Sequence, residues 1–338
     1  MNTDPEYRAL VCREFGDWRD LELTTLGRAE LSAGQVRIRV RHVGIGFALK
    51  LFVAGTYQRR PALPFTPGTE ISGEVLEVGD GVDGLTVGQR VVAALDWGGL
   101  AEEVVTTADT VYPLPDGADP GPAAALPITY PTVWSALAWR ARLEPGETVL
   151  VHGAAGAVGT AAVQISRLMG ARVIATASTP EKRAAVAAEG ADAVLPSTPD
   201  TLREAVRDLT RGRGADVVID PVGGALFDES VRSTAPGGRL VTLGFASGSV
   251  PRAAANHLLV KDIAVIGHNY GRYIGWGRID ERREHAPAVR RMVDTILAAY
   301  ARGDRIRPRT DHLPLEDWEK ALEIQLSGRA TGKMVVDL

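Results

Sequence analysis

Through the first third of the chain, apolar and polar residues alternate in short runs broken by glycine and proline, a pattern that predicts strands and tight turns. In QVRIRVRHVGI, Val36, Ile38, Val40 and Val43 alternate with Arg37, Arg39 and Arg41. EISGEVLEVGDGVDGLTVGQRVVAAL reads as two β runs joined by a glycine-rich turn. Strands at such short spacing, up to about residue 112, predict a barrel or sandwich. From about Leu126 the period changes. TVLVH, RVIAT, DAVL, ADVVID and RLVTLG are short β runs, each followed by ten to fifteen residues that read as helix. This alternation predicts right-handed βαβ units and a parallel sheet covered on both faces.

Helix faces and caps support that reading. GTAAVQISRLMG places Ala161, Ala162, Ile165, Leu168 and Met169 on one face. STPEKRAAVAAEG opens with Ser178 or Thr179 as N-cap, has Pro180 near the first helical position and ends in Gly190. After about residue 265 the alternation stops. APAVRRMVDTILAAYARGD predicts a helix with Val289, Met292, Val293, Ile296 and Leu297 inward, LEDWEKALEIQLSG a second helix, and GKMVVDL a closing strand.

At 338 residues the chain is long enough for two substantial cores. Its apolar fraction of 45% and charged fraction of 24% are those of a globular protein. A net charge of -4 leaves no cationic field for a polyphosphate backbone or an anionic membrane surface, so neither nucleic acid nor membrane is an expected partner. Cys12 is the only cysteine, which excludes an intrachain disulfide and any zinc site of several thiolates, and points to a reducing compartment. MNTDPEYRAL has no basic n-region or apolar h-region, and no run of 18 apolar residues occurs. The expectation is a soluble cytoplasmic protein. The six histidines show neither HxH nor HExxH spacing and read as structural rather than as metal ligands, and no G-x-S-x-G elbow supports hydrolase chemistry.

The chemistry begins at TVLVHGAAGAVGTAAVQ, where Gly153, Gly156 and Gly159 follow a β run and open a helix. Glycines at such a turn allow tight reversal, close approach of N–H groups to a pyrophosphate, and helix packing on the sheet, with the anion at the positive end of the helix dipole. The spacing is GxxGxxG rather than GxGxxG, and a glycine-rich turn without ligand is the bland alternative. The next strand ends VIATASTPEKR with no carboxylate at Ala177 or Ser178. Ser178, Thr179, Lys182 and Arg183 offer donors to a 2'-phosphate, which favours NADPH over NADH. Lys182 and Arg183 as a solvated basic pair is the competing reading.

These segments, with LPFTPGTEISGEVLEVGDGV, LPITYPTVWSAL, GADVVIDPVGG, GGRLVTLGFASG and RATGKMVV in order, resemble a zinc-free medium-chain dehydrogenase/reductase of the quinone oxidoreductase, zeta-crystallin-like group. The resemblance covers nearly the whole chain. It implies an α/β protein: a GroES-like β-barrel domain begun by residues 1–125, a doubly wound Rossmann NADPH-binding domain over 126–265, and a return segment 266–338 completing the first. It implies an active site in the cleft between domains, and a homodimer. The implied cofactor-binding residues are Gly153, Ala155, Gly156, Ala157, Val158 and Gly159 at the turn, with Gly156 to Val158 on the pyrophosphate. Ser178 and Lys182 fall at the 2'-phosphate, Thr132 near the nicotinamide, and Val222, Gly244, Phe245 and Lys333 complete the set. The GHE of zinc members is GTE here, Gly68 to Glu70. No catalytic metal is therefore expected, and hydride transfer from NADPH to a small-molecule electron acceptor remains.

Hydride addition to a quinone or enone leaves charge on oxygen, and that charge calls for a proton donor. Tyr57 falls where the related 2-enoyl thioester reductases carry a tyrosine donor. A tyrosine packed on the β domain with a wet hydroxyl is the equal alternative. Many relatives read GVNxxD where this chain has GIGFAL, so Gly46 and Leu49 replace Asn and Asp. The expected pocket is wider and more apolar, with Phe47, Leu49, Phe52, Tyr130 and Trp134 as walls; the aromatic, basic stretch from His268 either brings Tyr270 and Tyr273 to the substrate or is a surface loop. Lys50 either brings a cation there or is a solvated lysine on a polar face with no specific role. Two other readings stand beside the main one: an enoyl-thioester reductase, and a non-catalytic NADPH-binding protein.

Overall fold

In the computed structural model, which describes residues 6–338, the alternating runs form β1 (Glu6–Val11), β2 (Glu22–Gly27), β3 (Gln35–Gly44), β4 (Glu70–Val78), β5 (Arg90–Ala94), β6 (Glu103–Thr107) and β7 (Val111–Pro113). MNTDP, part of the stretch read for a leader, lies outside the described residues. β1 and β2 pair antiparallel, and β3 pairs antiparallel with both β4 and β6. Val36, Ile38 and Val40 are at most 2% exposed, as alternation requires, yet Arg37 between them is only 4% exposed. The reason is local: register shifts at Arg37/Ile38 and Val40/His42 break the alternation. The Arg37 guanidinium is then satisfied by Glu77 at 3.0 Å and the Ala29 carbonyl at 2.6 Å.

Two short helices go unread in the pattern, one inside the stretch expected to be strands and turns and one just beyond it. α1 (Ala48–Val53) buries Leu49, Phe52 and Val53 on one face, and α2 (Pro120–Ala123) starts at a proline with Asp119 as its cap. At six and four residues neither is long enough to show a helical period.

Beyond α3 (Thr129–Ser135), strands and helices alternate: β8 (Thr148–Val151), α4 (Ala157–Leu168), β9 (Arg172–Ala177), α5 (Pro180–Ala188), β10 (Ala193–Pro196), α6 (Pro199–Leu209), β11 (Ala215–Asp220), α7 (Ala225–Ser233), β12 (Thr234–Thr242), α8 (Ala255–Lys261) and β13 (Ala264–Gly267). All six strands are parallel, in the order β10-β9-β8-β11-β12-β13. This is a doubly wound sheet whose order reverses between β8 and β11. Leu150, Ile174, Val218 and Leu240, one from each of four adjacent strands, are 0% exposed and pack with Leu202, Val206, Phe227 and Val231. Each such side chain contributes about 1.5–3 kcal/mol by leaving water.

The last part of the chain adds α9 (Arg282–Ala301), β14 (Thr310–Pro314), α10 (Trp318–Leu326) and β15 (Lys333–Asp337). β15 pairs antiparallel with β3 and parallel with β14. The inward residues expected of α9, Val289, Met292, Val293, Ile296 and Leu297, are at most 4% exposed. The described residues divide into two units, one of residues up to 131 with 271–304 and 308–338, the other of 132–270 and 305–307. Among the described residues no helix is long and apolar enough to cross a membrane.

Candidate active site

In the second unit the turn from β8 to α4 is shaped by two glycines for different reasons. Gly153 has φ +58, and a Cβ on Gly159 would stand 2.3 Å from the Gly153 carbonyl oxygen and 2.4 Å from the Ala154 Cα. Helix and strand meet at a distance only hydrogen permits. Gly156 is the N-cap of α4 and places no side chain over the helix end. The first-turn N–H groups of Ala157, Val158 and Gly159 lack intrahelical acceptors, so an anion is their natural partner.

The loops after β8, β11 and β12 bring further expected residues to this end of the sheet. Val222 Cγ2 lies 3.1 Å from where a Gly153 Cβ would be, and the Phe245 ring 3.2 Å from where a Gly223 Cβ would be. Gly244 lies on the same loop as Ala246, whose N–H donates to the Pro221 carbonyl at 3.1 Å. Asp220, which sequence reading passed over, shapes this region. It is fully buried, and its Oδ1 accepts the N–H groups of Val222 at 2.8 Å and Gly223 at 2.9 Å. At the end of β9, Ser178 is exposed and Thr179 caps α5, accepting the Lys182 N–H at 3.2 Å. A glycine cradle a Cβ would fill, an uncapped helix end and a carboxylate-free strand end together fit a dinucleotide bearing a 2'-phosphate.

Two buried histidines brace the unit. His152 sits between the Ser230 hydroxyl (2.7 Å) and the Thr176 hydroxyl (3.1 Å), and burial pushes its pKa down to about 4 against the opposing charge of Asp220. His268 Nε2 lies 2.8 Å from Ser135 Oγ, and the ring hydrogen-bonds the Thr132 backbone. Burial and then the Arg140 charge push His268 down to about 4 as well. Neutral at ordinary pH, it pins the segment carrying Thr132. Tyr270, in the same unit, is 2% exposed.

In the first unit, Lys333 and Glu70 form a buried ion pair, 4% and 1% exposed. The Lys333 ammonium also donates to Thr129 Oγ1 at 2.7 Å, and the Glu70 carboxylate takes backbone hydrogen bonds from Ile128 and Thr129. Burial pushes the Glu70 carboxyl up, and the Lys333 charge opposes it. Gly44 makes the room: a Cβ there would stand 2.9 Å from Glu70 Cγ and 2.7 Å from the Ala124 carbonyl. The knot anchors the start of α3. Lys333, set among the cofactor residues by resemblance, thus has its ammonium on Glu70 and Thr129. Glu70 belongs to the GTE that replaces GHE. Among the described residues, no cluster of three His, Cys, Asp or Glu donors includes it, so the residues do not fit a zinc ion there.

Tyr57 lies half-buried against Phe52, with ring centroids 4.5 Å apart, and meets Trp276 edge to face at 6.5 Å. Phe52 also meets Trp276 edge to face, at 5.8 Å. Burial pushes the Tyr57 phenol up, against the lowering effect of Arg59. Phe52 and Tyr130 are buried, whereas Phe47 is 51% exposed. Trp276, in the stretch GRYIGWG, was missed because nothing in its local pattern ties it to a tyrosine so distant along the chain.

Comparison with known proteins matches residues 32–116 to the alcohol dehydrogenase GroES-like domain family and residues 157–287 to the zinc-binding dehydrogenase family. The chain is 38% identical over 335 residues to a quinone oxidoreductase-like protein 2 homolog of Nematostella vectensis, covering 98% of this chain and 89% of that protein. It is 33% identical to part of a phenolphthiocerol/phthiocerol polyketide synthase of Mycobacterium tuberculosis, covering 94% of this chain and 14% of that protein. Among solved structures, the quinone oxidoreductase of Thermus thermophilus, described with its NADPH complex, is 34% identical with a TM-score of 0.81, covering 98% of this chain and all of that one.

Proposed function

The chain belongs to the quinone oxidoreductase group of the medium-chain dehydrogenase/reductase superfamily, and from that premise we propose that it reduces a quinone or an α,β-unsaturated carbonyl compound without a catalytic metal. At the coarser level it is an NADPH-dependent oxidoreductase. The observation that carries the reading is the Gly153–Gly159 cradle followed by a β9 end with no carboxylate.

NADPH supplies a hydride when bound. The N–H groups of Ala157 and Val158 hold its pyrophosphate, Ser178 and Lys182 its 2'-phosphate, and Thr132, steadied by His268, the nicotinamide side. Tyr57 gives the proton. Its phenol, with pKa raised by burial, stays protonated at neutral pH and is ready to donate as charge develops on the acceptor. Of Phe47, Phe52 and Tyr130, it is Phe47, 51% exposed, that offers the acceptor an apolar surface suited to a flat ring or an enone, while Phe52 and Tyr130 are buried.

The test is NADPH oxidation with quinones, free enones and enoyl-CoA in parallel; no turnover with any of them would sink the proposal. Tyr57→Phe is expected to lower kcat by about 10²–10⁴ while leaving the KM for NADPH unchanged. An unchanged kcat would assign the proton to water. Lys182→Ala is expected to raise the KM for NADPH about tenfold, the worth of one charge-assisted hydrogen bond, with little effect on NADH. Equal effects on the two would make Lys182 a surface residue. A second reading, an enoyl-thioester reductase, is favoured by the identity to the polyketide synthase stretch; preference for enoyl-CoA over free enones would select it.

The protein works as a homodimer in the cytoplasm, where Cys12, buried, stays reduced. The surface that supports dimerisation is the β13 edge of the parallel sheet, with Val265 exposed on it and Leu259 (80% exposed) and Val260 (83%) on α8 beside it. An open strand edge flanked by apolar side chains is completed by a second copy. Light scattering should find a dimer that Leu259→Asp with Val260→Asp converts to monomer; a monomeric parent protein would overturn this.

A further inference from the structure

Three side chains that spacing along the chain leaves scattered meet on one sheet. β14, β15 and β3 lie side by side, and they carry His312, Asp337 and His42, with Asp337 in register with His42. His42 Nδ1 is 2.7 Å and His312 Nδ1 2.9 Å from the same carboxylate oxygen, Asp337 Oδ1. The two rings stand edge to face at 82°, with centroids 5.9 Å apart. One ligand atom from each of the three residues lies within 4.8 Å of the others. Ligands about 2.0–2.2 Å from a common ion must approach one another this closely.

The surroundings have the features of a ligand set. His312 Nε2 lies 3.1 Å from Thr310 Oγ1, so with Nδ1 given to a metal the remaining ring N–H has an acceptor that fixes tautomer and ring orientation. Gly121 leaves the imidazole its space, since a Cβ there would stand 3.0 Å from His312 Cε1. The three side chains are between 23% and 39% exposed, open enough for an ion to enter and for water to complete its coordination. Two imidazoles and one carboxylate are borderline donors, suited to a first-row divalent ion such as zinc rather than to magnesium or calcium.

We propose that His42, His312 and Asp337 bind one Zn²⁺, a site that no step of the reduction uses. The ion bridges β3 to the two C-terminal strands, and so ties residues near the start of the chain to those at its end. The second cluster among the described residues, Glu281, Glu284 and His285, is a weaker claimant, because Glu281 is paired with Arg272 at 2.6 Å.

The test uses the full-length, tag-free protein stripped with EDTA. Titration with Co²⁺ as a visible probe, followed by displacement with Zn²⁺, is expected to saturate at one ion per chain. Stoichiometric Zn²⁺ is expected to raise Tm by at least about 2 °C over protein in EDTA. Thr310→Val should weaken binding about 10–100-fold. His42→Ala with His312→Ala should abolish both the cobalt spectrum and the Tm rise, with melting of the variant in EDTA confirming that it folds. Absence of saturable binding in the parent protein overturns the proposal, as does one-to-one binding that survives in the double variant. The parent protein's response needs no variant and decides the matter should the variant fail to fold.

Discussion

Lys333→Met is expected to lower the free energy of unfolding by about 3–5 kcal/mol, the cost of leaving one member of a buried ion pair uncompensated. The pair sits where water cannot replace the lost partner, with Glu70 at 1% and Lys333 at 4% exposure. Thr129 Oγ1 would lose its donor in the same change. Urea unfolding of the apo protein measures the effect. Adding Glu70→Gln to Lys333→Met should recover part of the loss, because the stranded charge goes with its carboxylate. A loss below about 1 kcal/mol would mean the pair is hydrated and behaves as a surface salt bridge does.

Gly159→Ala is the second large effect. The added methyl meets backbone atoms at 2.3 and 2.4 Å, and a backbone cannot rotate away as a flexible side chain would. The turn must open, at a cost of about 1–3 kcal/mol, and NADPH affinity should fall about ten- to a hundredfold because the helix end moves from the pyrophosphate. Gly156→Ala is the contrast. Its Cβ would find nothing nearer than the Gly153 oxygen at 3.5 Å, at an ordinary φ of -83, so Tm should stay the same. Calorimetric titration with NADPH and thermal melts of both variants check the pair. Equal Tm values for the two would refute the steric account of Gly159.

Much of the cofactor half is legible in the sequence, because its signals are local. The strand, the glycine turn, the helix and the acid-free ATASTPEK lie within about thirty-five consecutive residues, and turn chemistry and helix capping depend only on near neighbours. Even there Asp220 escapes notice, since an aspartate ending a β run carries no mark that it will cap the loop beyond it. In the β half the alternation locates strands yet misjudges Arg37, because bulges are set by pairing with β4 and not by β3 alone. α1 and α2 go unread for want of length.

The sequence by itself determined the order of periods along the chain, the glycine-rich turn between β8 and α4, the absence of thiolate sets, and an end of β9 without a carboxylate. Only the tertiary structure decided that Lys333 reaches Glu70 across 263 positions, that Trp276 packs on Tyr57, and that His42, His312 and Asp337 converge. The physical reason is the range of the interactions. Backbone dihedral preferences and periodic burial are set within a turn or two of the chain. The partners of a buried charge or an imidazole are chosen by which strands lie side by side, and that choice belongs to the packing of the whole sheet.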